Sequence, residues 1–192
     1  MSDVATNARR LADRIADSVV TVSIPSERVF GEVRGERRVK VWFAPGHYAR
    51  VAPAQLEREL STLARLLFAA ALREHAVAQK EVTGRVFERR IPLGRRDREY
   101  AAALESLAAE GTSDDGSVTV RAVGQQGYTV GIAPGALDRL PEDSFRHACA
   151  QAAESLLRDT EKQAAIARVR IHEPLPGFSL DDLRPAGRAG HR

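Results

Sequence analysis

Tyr128–Leu156, YTVGIAPGALDRLPEDSFRHACAQAAESL, lies over Val39–Leu67, VKVWFAPGHYARVAPAQLERELSTLARLL, at an offset of 89 residues. Each copy is a short β-branched run, then Ala-Pro-Gly, then Arg-apolar, then a long segment of helical spacing. The shared turn is Ala44-Pro45-Gly46 in one and Ala133-Pro134-Gly135 in the other. Proline fixes its own backbone and glycine accepts unusual dihedrals, so the tripeptide reads as a turn between strand and helix. Leu56, Leu60, Leu63 and Leu67 fall on Phe145, Cys149, Ala152 and Leu156. Steps of four, three and four residues mark one face of a helix. A match of strand, turn and helix together predicts two copies of one small α/β unit. Each is small for a stand-alone fold, so the expectation is two halves on a common core.

Working outward, Asn7–Val19 carries an apolar stripe and reads as a helix, with β-branched character taking over from about Val19 to Ile24. Val29–Arg34 and Arg38–Phe43 form a hairpin around Gly35-Glu36; Val39, Val41 and Phe43 face one way, Lys40 and Trp42 the other. A helix is predicted from Pro53 to Gln79, apolar nearly all round over Leu63–Leu72. Lys80–Arg98 reads as an extended basic connector, an edge strand included, and Tyr100–Ala109 as a short helix capped by Gly111. Thr112–Gly116 is a turn, Ser117–Val123 and Gly127–Ile132 a second hairpin, and Pro141 to Lys162 or Arg168 a second long helix. The expected division is 1–80 for the first unit, 81–98 for the connector, 99–172 for the second unit and 173–192 for a flexible tail rich in proline, glycine and charge.

Composition excludes several classes. No apolar run approaches the roughly 18 residues that a membrane span needs, and the charged start (MSDVATNARRLADR) lacks a signal peptide's apolar stretch. A cytoplasmic protein without membrane contact is expected. One cysteine, Cys149, rules out an internal disulfide and falls on a helix's inner face as a small core residue. His47, His75, His147, His172 and His191 are scattered without metal-ligand spacing. Asp114-Asp115-Gly116 reads as a turn, lacking the later oxygen ligands of a calcium loop. No nucleophile elbow or phosphate loop occurs. The expectation is a protein that is not an enzyme and carries neither cofactor nor metal.

Cations remain. The net charge is +3, but Arg34–Lys40 (RGERRVK) holds four cations against Glu36, and Arg85–Arg98 (RVFERRIPLGRRDR) holds six arginines against Glu88 and Asp97. Such segments reach phosphates without burying charge, and each neutralised phosphate releases counterions. Arg37, Arg38 and Lys40 on the first hairpin, with Arg89, Arg90, Arg95, Arg96 and Arg98 in the connector, are the candidate DNA contacts; the bland alternative is a solvated surface. Trp42 and Tyr48 are candidate interaction residues, for a subunit or a docked helix before a base.

The second copy, GSVTVRAVGQQGYTVGIAPGALDRLPEDSFRHACAQAAESLL, resembles the YbaB/EbfC family of nucleoid-associated proteins. Gly116, Val118, Val120, Gly124, Val130, Ile132, Pro134 and Leu137 fit the family pattern, followed by the helix from Leu140 to Leu157; Ala133 replaces the family's acidic residue before proline. The first copy fits more loosely, through Val33, Gly35, Val39, Val41, Phe43, Pro45 and the Leu56–Leu67 helix. The resemblance implies an α/β (α+β) fold of two tandem helix–antiparallel strands–helix units in a pseudo-twofold arrangement. It implies double-stranded DNA, bound with little sequence specificity, as partner in the nucleoid. A homodimer or a protein partner is the alternative, through an interaction module that kept the fold and lost the DNA.

Overall fold

The computed structural model describes residues 2–35, 37–84, 94–124 and 127–172. Helix α1 (Ser2–Ala16) leads into the antiparallel strands β1 (Val19–Ser23), β2 (Val29–Arg34) and β3 (Arg38–Phe43), and then α2 (Pro53–Thr83). Helix α3 (Arg95–Glu105), strands β4 (Ala108–Thr112), β5 (Val118–Val123) and β6 (Gly127–Ile132), the single turn α4 (Ala136–Arg139) and α5 (Glu142–His172) follow. Strand order is β1-β2-β3 in one sheet and β4-β5-β6 in the other. The offset of 89 that relates the sequences also relates all three strands of one sheet to those of the other, and α2 to α5. Both long helices have 31 residues, about 46 Å of helix.

Each helix covers its own sheet and the margin of the other. α2 packs on β1 and β2 and also on β6; α5 packs on β4 and β5 and also on β3. Strands β3 and β6 are sheet edges whose free amides and carbonyls would otherwise invite pairing, and side chains of the opposite half close them. The Val39 N–H donates to Glu154 Oε1 at 3.3 Å, and Arg146 Nε donates to the Val41 carbonyl at 2.9 Å. In the reverse direction the Val130 N–H donates to Ser61 Oγ at 2.9 Å and the Ile132 N–H to Glu57 Oε1 at 2.8 Å. One apolar cluster runs through both halves and includes Val29, Phe43, Leu56, Leu63, Val118 and Phe145. Pulling the halves apart would therefore expose core and leave two strand edges bare.

The structure corrects three expectations. Residues 108–112 form the edge strand β4, not the end of a helix capped by Gly111; pairing with β5 (Ala109 opposite Ala122, Gly111 opposite Val120) overrides the weak strand propensity of AAEGT. Arg95, Arg96 and Arg98 lie on α3, not on an extended connector, because Asp97 Oδ2 accepts the Gly94 N–H at 3.3 Å and caps the helix at its start. Finally, α2 runs past Gln79 to Thr83, where Gly84 adopts the left-handed conformation (φ 65°) and its N–H returns to the Lys80 carbonyl. The edge strand and tail expected around Val86, Ile91 and 173–192 lie outside the described residues.

Candidate nucleic-acid interface

Strand alternation sorts the side chains of the first sheet onto two faces. Inward go Val29, Val39, Val41 and Phe43, all buried. Outward go Phe30, Glu32 and Arg34 on β2, with Arg38, Lys40 and Trp42 on β3. The register puts Phe30 opposite Trp42, Glu32 opposite Lys40 and Arg34 opposite Arg38. The outward position expected of Trp42 is what the structure shows, and the sheet supplies its neighbour. Its ring stacks on Phe30, with centroids 5.7 Å apart and planes 5° from parallel. Arg34 reaches Glu32 at 3.4 Å, while Arg38 and Lys40 are exposed and make no ion pair among the described residues.

Arg37 is placed differently from its neighbours. It crosses to the second half and grips Glu161 of α5 through Nε at 3.2 Å and the second nitrogen at 2.6 Å. A bidentate pair of this kind fixes the hairpin against the helix and leaves Arg37 less available to a phosphate. Arg95, Arg96 and Arg98 are exposed around the first turn of α3, Arg95 within 3.5 Å of Glu99. Arg89 and Arg90 lie outside the described residues. Tyr48 is engaged within the chain: its hydroxyl donates to the Leu140 carbonyl at 2.8 Å, and its ring packs on Phe43 and Phe145 at 5.6 and 5.3 Å. The pocket it fills belongs to the other half of the same chain, and desolvation there raises its pKa.

Two arginines escaped sequence reasoning. Arg9 and Arg10 are exposed on α1, and Arg9 sits 89 residues before Arg98 of α3. Applying the repeat offset to the first helix picks out Arg9, while Arg10 falls on Glu99. Phe30 and Arg34 were missed too, since only the strand register makes them neighbours of Trp42 and Arg38.

Inside, a cavity of about 380 Å³ lies between the two long helices and the sheets, lined among others by Leu67, Phe68, Val120, Tyr128 and Cys149. Burial pushes the Cys149 thiol and the Tyr128 phenol well above their ordinary ranges, which keeps both protonated and the thiol unreactive. Among the described residues, no group of three or more His, Cys, Asp or Glu side chains is placed to hold a metal ion, and no helix is long and apolar enough to cross a membrane. The chain matches no family model, no curated protein and no solved structure.

Proposed function

We propose that this is a non-enzymatic protein of the nucleoid-associated type that binds double-stranded DNA with little sequence preference. Its two halves act as a covalent pseudo-dimer of the YbaB/EbfC kind that the second copy resembles. The observation that carries the proposal is the placement of free arginines. Arg9 and Arg10 on α1, with Arg96 and Arg98 on α3, are exposed and make no ion pair among the described residues. The two helices hold the same place before the strands of their halves. Exposed arginines at like places in the two halves suit a uniform phosphate backbone, where affinity comes from counterion release and not from base edges.

Anisotropy of a labelled random-sequence duplex, titrated at about 50 and about 200 mM salt, tests it. Micromolar binding at the lower salt should weaken by roughly 10²-fold at the higher. Replacing Arg9, Arg10, Arg96 and Arg98 by Ala should weaken binding at least about tenfold and reduce the salt slope by about four. No duplex binding at low salt would sink the proposal; undiminished binding by the quadruple variant would remove these helices as its surface.

The apolar cavity between the long helices favours a second reading, an interaction module. Leu72 and Val77 on α2 and Val169 on α5 are 49%, 46% and 40% exposed, apolar surface that a protein partner would cover. A protein complex that survives both nuclease treatment and high salt would favour it over DNA.

A further inference from the structure

We infer that the outer face of the first sheet is a binding platform for single-stranded nucleic acid, separate from the arginines of α1 and α3. The two aromatic rings, Phe30 and Trp42, are half-buried and stacked on one another on the side of the sheet opposite Val29, Val39, Val41 and Phe43, the buried side chains that join the core with α2 and α5. Holding a tryptophan and a phenylalanine there costs hydration free energy that burial beneath a partner would recover. Beside them on alternate positions of the same strands stand Arg34, Arg38 and Lys40, with Glu32 as the acidic residue among them. From Arg38 to Trp42 the strand advances about 13 Å, and the neighbouring strand adds about 5 Å of width. That area suits about two or three unstacked bases with their phosphates.

The chemistry discriminates between nucleic-acid forms. In a duplex the base faces are already stacked on one another, so outward rings gain nothing from them. An unpaired base offers its π-face to a ring and its phosphate to a neighbouring cation at once. Charge complementarity argues against an acid-poor apolar occupant: Arg38 and Lys40 have no ion-pair partner among the described residues, and an apolar surface laid over them would strand both charges. The second sheet supplies an internal control. At the positions 89 residues on, Phe30 becomes Thr119, Arg34 Val123, Arg38 Gly127, Lys40 Thr129 and Trp42 Gly131. The ring pair and the three cations are replaced together, as expected of residues serving one ligand.

Trp42 is the sole tryptophan, so emission excited beyond the tyrosine absorption band reports on this face alone. Titrating the full chain with oligo(dT) and oligo(rU) of about twelve nucleotides, labelled for parallel anisotropy, gives both occupancy and location. Quenching of Trp42 that saturates together with anisotropy, for either strand, supports the platform, and the tighter strand names DNA or RNA as the source. Arg38→Gln with Lys40→Gln changes exposed side chains without burying anything; it should weaken single-strand binding about tenfold and leave the duplex titration unchanged. Phe30→Ala should weaken single-strand binding comparably while Trp42 still reports. The proposal is overturned by single strands that bind without quenching, by equal loss of duplex and single-strand affinity in the Arg38/Lys40 variant, or by no single-strand binding at low salt. It is overturned equally if Trp42 emission shifts on dilution without nucleic acid, which would assign the face to a second copy. The Arg9/Arg10/Arg96/Arg98 variant, unable to grip duplex, should still quench, so failure of one proposal leaves the other standing.

Discussion

The two halves are built to one plan but packed by different means. In the first half, leucines hold the helix away from the sheet: Leu63 and Leu67 of α2 fill the space above Gly31, where a methyl group would meet the Cδ1 of Leu67 at 2.7 Å and a Cδ of Leu63 at 3.1 Å. In the second, Ala148, Ala152 and Gly111 let α5 settle onto β4, so that a methyl on Gly111 would run into the Leu156 amide nitrogen and the Ala152 carbonyl. One glycine sits beneath flexible side chains and the other beneath a helix backbone. A core made by side-chain fill tolerates adjustment; a core made by close backbone approach does not. The outer faces diverge as well: the first sheet carries the ring pair with Arg38 and Lys40 unpaired among the described residues, and the second carries threonine, glycine and Val123, with its one arginine, Arg121, paired to Glu110.

The largest effect that separates the halves should come from Gly111→Ala. Helix α5 cannot yield at one carbonyl without lifting off the strand, so a loss of about 3 kcal/mol or more is expected. Gly31→Ala pushes only on the ends of leucine side chains and should cost about 1–2 kcal/mol. Urea unfolding of both variants checks the order. Equal losses would show that α5 rides on its sheet no more rigidly than α2.

A second difference is polar. Beside the first turn, His47 Nε2 and Glu59 Oε2 share a hydrogen bond of 2.6 Å with both side chains nearly buried, and Gln55 adds a bond to Glu59 at 3.0 Å. The corresponding residues of the second half are Ala136 and Ala148. Removing one partner leaves a desolvated polar group, so His47→Ala should cost about 2 kcal/mol. His47→Ala with Glu59→Ala reproduces the arrangement of the second half and should cost no more than the single change. A double-mutant cycle measures the coupling, expected at about 1–2 kcal/mol; strict additivity would make the pair incidental.

Local patterns made the repeat, both hairpins and the buried faces of the long helices legible. Leu56, Leu60, Leu63 and Leu67 are buried, as are Phe145, Cys149, Ala152 and Leu156. Strand β4 was hidden because Ala108-Ala109-Glu110-Gly111 has the composition of a helix end; what makes it a strand is β5 beside it and α5 above it, neither visible in five residues. The offset itself contained the answer, since Val19–Ser23 moved by 89 lands on Ala108–Thr112. Arginine placement was read from charge density alone, which located Arg37 but not its engagement with Glu161, 124 residues away. Trp42 was legible from alternation, Phe30 only from the register. The contact of Tyr48 with Leu140 and Phe145 is not legible locally, because nothing in the sequence around it distinguishes a ring that meets solvent from one that meets the other half of its own chain.

The smallest effect concerns the alkaline limb of stability and again falls on the second half, which holds a buried thiol and a half-buried phenol, both strongly shifted. Burial raises the pKa of Cys149 on α5 and of Tyr128 on β6, in each case by disfavouring the ionised form. In the unfolded chain the thiol ionises near 8.5 and the phenol near 10 (roughly). Below those values both states hold the proton and pH has no effect through these groups. Above them the unfolded chain releases protons that the folded chain retains, so stability falls with rising pH, by up to about 1.4 kcal/mol per pH unit for each group. The stabilising contribution is thus whole at neutral pH and declines from about pH 8.5 upward. Thermal melts at stepped pH should show Cys149→Ala removing the decline that begins first, and Tyr128→Phe the part that begins about one and a half units later. The residues that replace them in the first half, Leu60 and Val39, do not titrate. Parallel alkaline limbs for wild type and both variants would mean that the thiol and the phenol reach water in the folded chain.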